Sequence, residues 1–252
     1  MIRRHVVGFL AGIAFAAAQS QAQSLPDLIA RTKPSVVLVG SYGLMDSPRF
    51  GFRGTGFVVG DGRRVVTNVH VLPPDLAGRV DRRLVIQSWT ERDGWTQRDA
   101  QVTRTDPLHD LAVLSIVGSP LPSLPLAEYD AREGTEVILM GFPLGGALGY
   151  GHVTHRGMVA ARVAIAPTAV NAQSLQPRAL QQLRQGSFEV LQLDATAYPG
   201  NSGGPVLDVA TGQVVGVLNM VLVKGTREAA LSAPSGISYA LKVSTAAALL
   251  AE

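Results

Sequence analysis

Twelve short apolar runs, separated by glycine, proline and aspartate turns, occupy most of the chain after Pro34. Runs rich in valine, isoleucine and leucine between such turn residues are typical of β-strands. No long helical pattern lies between them, so a parallel α/β fold is disfavoured. The sequence therefore predicts an all-β sandwich or a pair of barrels. The predicted strands cover residues 35–41, 55–60, 63–69, 82–89, 99–106, 111–117, 135–142, 157–166, 188–195, 204–209, 213–223 and 236–241.

Three other segments carry helical patterns. Residues 25–33 predict one short helix, because Pro34 cannot continue it. Residues 172–185 place several leucines near one face, and residues 242–251 predict a C-terminal helix that would cap the β-structure.

Residues 1–22 have the layout of an export signal peptide. Arg3 and Arg4 form a positive start, and an apolar stretch at 6–18 is followed by small residues that permit cleavage after Ala22 or Ala18. The apolar stretch is too short to span a bilayer stably. We expect an exported chain, periplasmic where the cell has two membranes, with no stable membrane anchor after cleavage; the alternative is an uncleaved anchor.

Charge and composition exclude several classes of protein. Removal of residues 1–22 leaves 20 Lys and Arg against 19 Asp and Glu, and no basic run exceeds two residues. Nucleic acid or an anionic membrane is therefore not expected as the main partner. The chain has no cysteine, which excludes disulfides, thiolate metal sites and a cysteine nucleophile.

The strongest chemical signal is the segment Gly200-Asn201-Ser202-Gly203-Gly204-Pro205, between two predicted strands. Glycine permits a positive φ and a close approach of backbones. A turn of this kind can expose the Ser202 hydroxyl while it aims backbone N–H groups at one point. An acyl-transfer enzyme needs such a nucleophile beside an oxyanion hole, so we predict Ser202 as the nucleophile rather than an ordinary residue of a hairpin loop.

A serine nucleophile needs a base, and the base needs an acid to orient it. His70 ends a predicted strand, where its side chain would be held firmly and still face a cleft. Asp110 begins the strand at 111–117, whereas Asp106 precedes a proline and is expected to form a turn. We predict His70 as the base and Asp110 as the acid, and we expect Asp194 to order the loop before Ser202.

The remaining histidines are expected to play no part in the chemistry. His152 and His155 have the spacing of metal ligands, but residues three apart on a strand face opposite sides. His109 is expected at the surface. We predict no metal site and no organic cofactor.

The order His70, Asp110, Ser202 matches the chymotrypsin arrangement. A set of short motifs in this order, over residues 50–241, resembles the trypsin-like protease domain of the high-temperature-requirement (HtrA, Deg-type) serine proteases. The motifs are Gly54-Thr55-Gly56-Phe57-Val58-Val59, Val66-Thr67-Asn68-Val69-His70-Val71, Asp106 through Asp110-Leu111-Ala112-Val113-Leu114, Gly141-Phe142-Pro143-Leu144-Gly145, Gly157-Met158-Val159-Ala160, Leu193-Asp194-Ala195, Pro199-Gly200-Asn201-Ser202-Gly203-Gly204-Pro205 and Gly236-Ile237-Ser238-Tyr239-Ala240.

This resemblance implies a protease domain at residues 23–252 with a chymotrypsin-like double β-barrel, in lobes of roughly 23–125 and 126–252. His70 and Asp110 would lie in the first barrel and Ser202 in the second, facing a shared cleft. The resemblance also implies an oxyanion hole formed by the backbone N–H groups of Gly200 and Ser202, with Asn201 between them.

The sequence departs from the family pattern in three places. Family members commonly carry PDZ domains after the protease domain, but only 12 residues follow Ala240, so we expect no PDZ domain. The family's trimerisation segment is not recognisable, which leaves the oligomeric state open. The stretch 167–187 is longer than usual and is interpreted as an exposed insertion, a lid or a partner contact.

The chymotrypsin arrangement also implies a specificity pocket with its floor at Thr196. Its walls would come from Leu218, Asn219, Met220 and Ile237. This candidate lining has no acid, so we predict cleavage after small or medium aliphatic residues. Such residues are normally buried in folded proteins, and unfolded polypeptides are therefore the expected substrates.

The leading hypothesis is an exported serine endopeptidase that acts on unfolded or damaged proteins. One alternative is a binding or scaffolding protein on a protease fold in which catalysis is weak or lost. Another is an esterase that uses the same site.

Overall fold

The computed structural model describes residues 24–74, 81–145, 149–165, 187–219 and 236–251. The helices are α1 (Leu25–Thr32) and α2 (Val243–Ala251), and short 3₁₀ turns span Lys33–Ser35 and Val69–Val71. The strands are β1 (Val36–Gly43), β2 (Phe50–Val59), β3 (Arg64–Asn68), β4 (Arg82–Thr90), β5 (Gly94–Asp106), β6 (Leu111–Ile116), β7 (Glu136–Gly141), β8 (Val153–Ile165), β9 (Phe188–Asp194), β10 (Pro205–Asp208), β11 (Val214–Leu218) and β12 (Ile237–Lys242).

The strands close into two six-stranded antiparallel barrels. The first has the order β1-β2-β3-β6-β5-β4, and the second repeats this order as β7-β8-β9-β12-β11-β10. Each observed strand overlaps one of the predicted runs. The predicted all-β, chymotrypsin-like double barrel with a C-terminal helix is therefore confirmed.

The strand boundaries differ most from the prediction in β2, β5 and β8, which begin earlier, at Phe50, Gly94 and Val153. The first residues of each of these strands are exposed or half-buried, so the sequence there lacks an apolar run. The predicted signal peptide at 1–22 and the predicted helix at 172–185 lie outside the described residues. In the described part of the chain, no helix has the length and apolar character needed to cross a membrane.

Many of the apolar runs are continuous because their strands are buried on both faces. In β1, Val37 and Val39 fill the interior of the first barrel. The alternate residues, Val36 and Leu38, pack in a cluster with Phe142 from the second barrel. Burying both faces of a strand stabilises the fold by the usual ~25 cal/mol per Å² of apolar area and holds the barrels against each other.

A larger buried cluster joins the two barrels. Phe57 and Leu111 of the first barrel share it with Leu207 and Val217 of the second and with Leu249 of α2. These side chains thus form a continuous core between the barrels, and this core sets the position of one barrel relative to the other.

His152 lies in a cluster of aromatic side chains that also spans the two barrels. Its ring stacks on Trp95, with centroids 5.6 Å apart and an interplanar angle of 10°, and lies 4.7 Å from the Phe142 ring. Its Nε2 donates to the Val36 carbonyl at 3.0 Å. Burial lowers the pKa of His152, aided by the charge of Lys33, while the bond to Val36 acts in the opposite direction.

This burial predicts a specific pH dependence of stability. An unfolded histidine takes up a proton below about pH 6.5, whereas folded His152 resists protonation. The unfolded state therefore binds more protons, and His152 should lower the free energy of unfolding as the pH falls from about 7 to 5. Urea unfolding across this range should show a steeper loss in the wild type than in His152→Gln, and equal slopes would contradict the prediction.

Candidate active site

His70 and Asp110 form the centre of the candidate site. His70 lies in the 3₁₀ turn Val69–Val71 that follows β3, and its Nδ1 is 2.5 Å from Asp110 Oδ2. The backbone N–H of His70 donates to Asp110 Oδ1 at 2.9 Å. Because a carboxylate only accepts hydrogen bonds, this contact assigns the ring proton to Nδ1. The lone pair of Nε2 is then free to accept a proton.

Asp110 is held in place by its backbone as well as by its carboxylate. It has a φ of 55° in the turn before β6, a left-handed conformation that aspartate tolerates better than most residues. Its carbonyl accepts hydrogen bonds from Val69 N at 3.1 Å and from Asn68 Nδ2 at 3.0 Å. The end of β3 and the turn before β6 are thus tied together from both sides of Asp110.

Asn219 brings the second barrel into contact with this pair. It follows β11, is fully buried, and donates from Nδ2 to Asp110 Oδ2 at 2.9 Å. Asp110 therefore accepts hydrogen bonds from both barrels. The prediction for Asn219, as part of the wall of the specificity pocket, did not include this contact.

The turn that carries Ser202 lies against β2 and β3 of the first barrel. Ser202 is 4% exposed, and its carbonyl accepts from Thr55 N at 2.9 Å. Gly203 has a φ of 82°, and a Cβ there would lie 2.2 Å from Thr55 O and 2.4 Å from Thr67 Oγ1. Only glycine permits this approach, which brings the turn to the end of the strand that leads into His70.

The backbone N–H groups of the turn differ in whether they are bound to other described residues. Asn201 N donates to Tyr198 O at 3.0 Å, and Gly203 N donates to Leu218 O at 2.9 Å. Gly200, with a φ of 103°, donates from its N–H to no other described residue. Asn201 itself has its N–H satisfied, so its backbone is not a donor to an oxyanion.

The Asn201 side chain lies in the protein interior. It is 1% exposed, and within the described ranges neither its Oδ1 nor its Nδ2 has a hydrogen-bond partner. Burial of an unpaired amide costs about 1–3 kcal/mol. The turn therefore carries a local energetic cost next to Ser202.

Asp106 forms a second, separate pair with His109. Its Oδ1 accepts from the backbone N–H groups of Leu108 and His109, as expected for a turn former, and its Oδ2 lies 2.6 Å from His109 Nδ1. The His109 ring packs edge-on against Phe188, with centroids 4.7 Å apart. The structure thus gives each of the two aspartates its own histidine.

His152 and His155 contact different parts of the protein. His155 packs against Tyr198, with ring centroids 5.9 Å apart, and burial lowers its pKa. Among the residues that the structure describes, no three histidine or carboxylate side chains come together as metal ligands would.

The predicted pocket residues differ in their exposure. Thr196 is half-buried, and Ile237 is 43% exposed on the neighbouring strand, where it pairs with Asp194. Leu218 is only 1% exposed and packs in a core cluster of the second barrel. Met220 lies outside the described residues.

Asp194 also differs from its expected role. It is exposed at the end of β9, and its carboxylate makes no hydrogen bond to another described residue. The loop before Ser202 is held instead by Ser238, whose Oγ donates to Ala195 O at 2.7 Å. A hydroxyl on the adjacent strand thus binds the loop that Asp194 was predicted to order.

Comparison with curated proteins identifies several serine proteases as relatives. The chain is 31% identical over 214 residues to mitochondrial serine protease HTRA2 of Bos taurus, covering 82% of this chain and 40% of the relative. It is 32% identical to the putative serine protease HhoA of Synechocystis, covering 80% of this chain and 43% of the relative. It is 33% identical to a probable periplasmic DegP-like endoprotease of Chlamydia trachomatis, covering 69% of this chain and 29% of the relative. The chain thus spans less than half the length of these relatives.

Solved structures give the same assignment. The active form of the Rv3671c protease from M. tuberculosis superposes with a TM-score of 0.65 at 25% identity, covering 89% of this chain and 82% of that one. Deg5 superposes with a TM-score of 0.61 at 26% identity, covering 88% of this chain and 90% of that one. The family profile of the trypsin-like peptidase domain matches residues 54–217. The chain therefore belongs to the family of trypsin-like peptidase domains, with serine proteases of the HtrA and DegP type among its homologues.

Proposed function

We propose that the protein is a serine endopeptidase in which Ser202, His70 and Asp110 act as a catalytic triad. The observation that carries this proposal is the contact between Asp110 Oδ2 and His70 Nδ1, beside a glycine turn that brings Ser202 to the same end of the first barrel. Membership of the trypsin-like peptidase family supports it.

In the proposed reaction, His70 Nε2 takes the proton of the Ser202 hydroxyl as Oγ attacks the peptide carbonyl carbon. The tetrahedral intermediate then expels the amine, which receives this proton from His70. Water attacks the resulting acyl-enzyme with His70 again acting as the base. This releases the carboxylic acid product and restores the serine.

Asp110 contributes by orientation and charge. It holds the imidazole with Nδ1 protonated, so that Nε2 faces the serine as the acceptor, and it stabilises the imidazolium that forms during the reaction. The Asn219 amide, at 2.9 Å from Oδ2, fixes the carboxylate from the opposite barrel. We assign Asn219 as a positioning residue for the acid.

The negative charge on the carbonyl oxygen requires donors already in place. We assign this role to the N–H groups of Gly200 and Ser202. The support is that the Asn201 and Gly203 N–H groups are bound to the carbonyls of Tyr198 and Leu218, whereas Gly200 donates to no other described residue.

We propose unfolded polypeptides as the substrates, with small or medium aliphatic residues before the scissile bond. The half-buried Thr196 and the exposed Ile237 lie on neighbouring segments beside the Ser202 turn. Neither side chain carries a negative charge that could form an ion pair with Lys or Arg. We also propose export, on the strength of the signal-like residues 1–22 and a relative named as periplasmic.

The boundary between the two proposed lobes lies at Pro125. Leu124 pairs with Val59 of the first barrel, and Leu126 pairs with Val214 of the second. This change of partner within three residues supports lobes of 23–125 and 126–252.

The first test of the function is Ser202→Ala. Because the members of a triad act as a unit, loss of Ser202 should lower kcat by roughly 10⁴-fold or more. Casein digestion and labelling by a fluorophosphonate probe should both be lost. Ser88→Ala is the matched control, since Ser88 is a buried serine in β4 whose hydroxyl contacts Thr96.

The same assays separate the alternatives. An esterase would hydrolyse short-chain esters and take up the probe but leave casein intact. A scaffolding protein would react with none of the three. Wild-type casein cleavage by Ser202→Ala would refute the assignment of the nucleophile.

The second test compares Asp110→Asn with Asp106→Asn. The amide at position 110 would no longer favour the Nδ1-protonated imidazole, so kcat should fall by about 10⁴-fold. Asp106 holds His109 rather than His70, so Asp106→Asn should keep kcat within about threefold. A larger loss in Asp106→Asn than in Asp110→Asn would show that the acid has been misassigned.

The third test addresses the substrate. Cleavage sites mapped on a denatured proteome, with Ser202→Ala as the background, should lie mainly after Val, Ala, Leu and Ile. Thr196→Asp should add cuts after Lys and Arg if Thr196 forms the floor of the pocket. A wild-type majority of cuts after Lys, Arg, Asp or Glu would contradict the proposed specificity.

A further inference from the structure

Thr55 is a buried residue of the first barrel whose hydroxyl binds two backbone groups of the second barrel. Its side chain is fully buried in β2. Thr55 Oγ1 donates to Gly200 O at 2.7 Å and accepts from Phe142 N at 3.2 Å. A carbonyl can only accept and an N–H can only donate, so these two partners fix the direction of the hydroxyl proton.

The hydroxyl of Thr55 fixes one of the two peptide groups that flank Gly200. In the peptide between Gly200 and Asn201, the carbonyl is held by Thr55 and the N–H is held by Tyr198 O at 3.0 Å. Both polar ends of this peptide are therefore bound, one to each barrel.

The preceding peptide is held at one end only. The Pro199 carbonyl accepts from Leu144 N at 2.7 Å. In a trans peptide the N–H points opposite to the carbonyl, so the Gly200 N–H points away from Leu144. A glycine at a φ of 103° has little steric resistance to rotation of its own. Its orientation therefore depends on these neighbours.

We propose that Thr55 is the positioning residue that sets the oxyanion hole, by holding the Gly200 carbonyl so that the Gly200 N–H faces the reacting carbonyl. This inference rests on the proposed function. Thr55 also binds Ser202 O through its own backbone N–H at 2.9 Å, so one residue of the first barrel fixes both residues that supply the oxyanion donors.

Removal of the Thr55 hydroxyl would favour an orientation of the turn in which the Gly200–Asn201 peptide is rotated from its observed position. Without Oγ1, Gly200 O and Phe142 N would both lose a partner in the interior. A buried polar group without a partner is costly, so rotation of the Gly200–Asn201 peptide toward another donor becomes favourable. The rotated turn would still display Ser202 but would no longer aim the Gly200 N–H.

The test is the graded series Thr55→Ser, Thr55→Cys and Thr55→Val, assayed with a peptide substrate at a temperature where each variant is folded by circular dichroism. Serine keeps the hydroxyl, the thiol of cysteine is a weak donor, and valine keeps the shape alone. Loss of one oxyanion donor costs about 10²–10³-fold in kcat. We expect kcat to fall about 10- to 100-fold in Thr55→Val, by less in Thr55→Cys, and by no more than about threefold in Thr55→Ser.

The separate effects on kcat and KM distinguish a role of Thr55 in positioning the oxyanion donors from a general disturbance of the fold. KM should stay within about twofold, because the hole acts on the transition state more than on the bound substrate. Thr32→Val is the matched control. Thr32 is equally buried, and its hydroxyl binds the Leu28 carbonyl in α1 at 2.7 Å, so kcat should be unchanged.

The outcomes separate this inference from the proposed function. A fully active Ser202→Ala would refute the function itself. An inactive Ser202→Ala together with wild-type kcat in Thr55→Val would refute only the role of Thr55. An equal loss of kcat in Thr55→Ser and Thr55→Val would also refute it, and should Thr55→Val not fold, the order of Thr55→Ser and Thr55→Cys decides the question.

Discussion

The apolar contact between the two barrels is the constraint on which the candidate site depends. His70 and Asp110 belong to one barrel and Ser202 to the other, so their relative positions are only as fixed as the barrels are. The cluster that contains Phe57 and Leu207 fills the space between them. Close-packed interiors transmit small displacements, which makes this cluster a determinant of the geometry at the site as well as of stability.

The apolar core sets the relative position of the two barrels approximately, and three hydrogen bonds fix it more closely. Asn219 Nδ2 reaches across to Asp110 Oδ2, Thr55 N reaches Ser202 O, and Thr55 Oγ1 reaches Gly200 O. Each joins one barrel to the other and lies within the site. Burial makes such bonds expensive to lose. The barrels are therefore held in register by hydrogen bonds at the place where the proposed chemistry occurs.

The positions of the strands could be predicted well from the sequence because of how they are buried. Strands such as β1 are covered on both faces, and their continuous apolar runs stand out between turns. β2, β5 and β8 were predicted too short because the residues at their starts remain exposed or half-buried. The start of a strand is invisible to a hydrophobic pattern when neither of its faces lies in a core.

Residues of the candidate site could be predicted from the sequence only where the residue type and its neighbours along the chain indicate a chemical role. Ser202 stands out within its glycines, and His70 and Asp110 stand out by type and order. Asn219 and Thr55 have common residue types, and their partners are 109 and 145 residues away along the chain. Such contacts depend on how the barrels meet, which no local pattern encodes.

The two aspartate–histidine pairs contain the same residue types, but their positions in the turn give them different roles. Asp106 and Asp110 lie in one turn, and each carboxylate contacts a histidine Nδ1, at 2.6 and 2.5 Å. The carboxylate of Asp106 accepts hydrogen bonds within its own turn and contacts His109, whose ring packs against Phe188.

Asp110 adopts a left-handed backbone conformation, which costs about 1–2 kcal/mol, and so presents its carboxylate to both barrels. Strain of this kind is sustained only where surrounding contacts fix it, and here the bonds from Asn68, Val69 and Asn219 do so. The same residue type four positions earlier has no such surroundings, and it forms an ordinary turn.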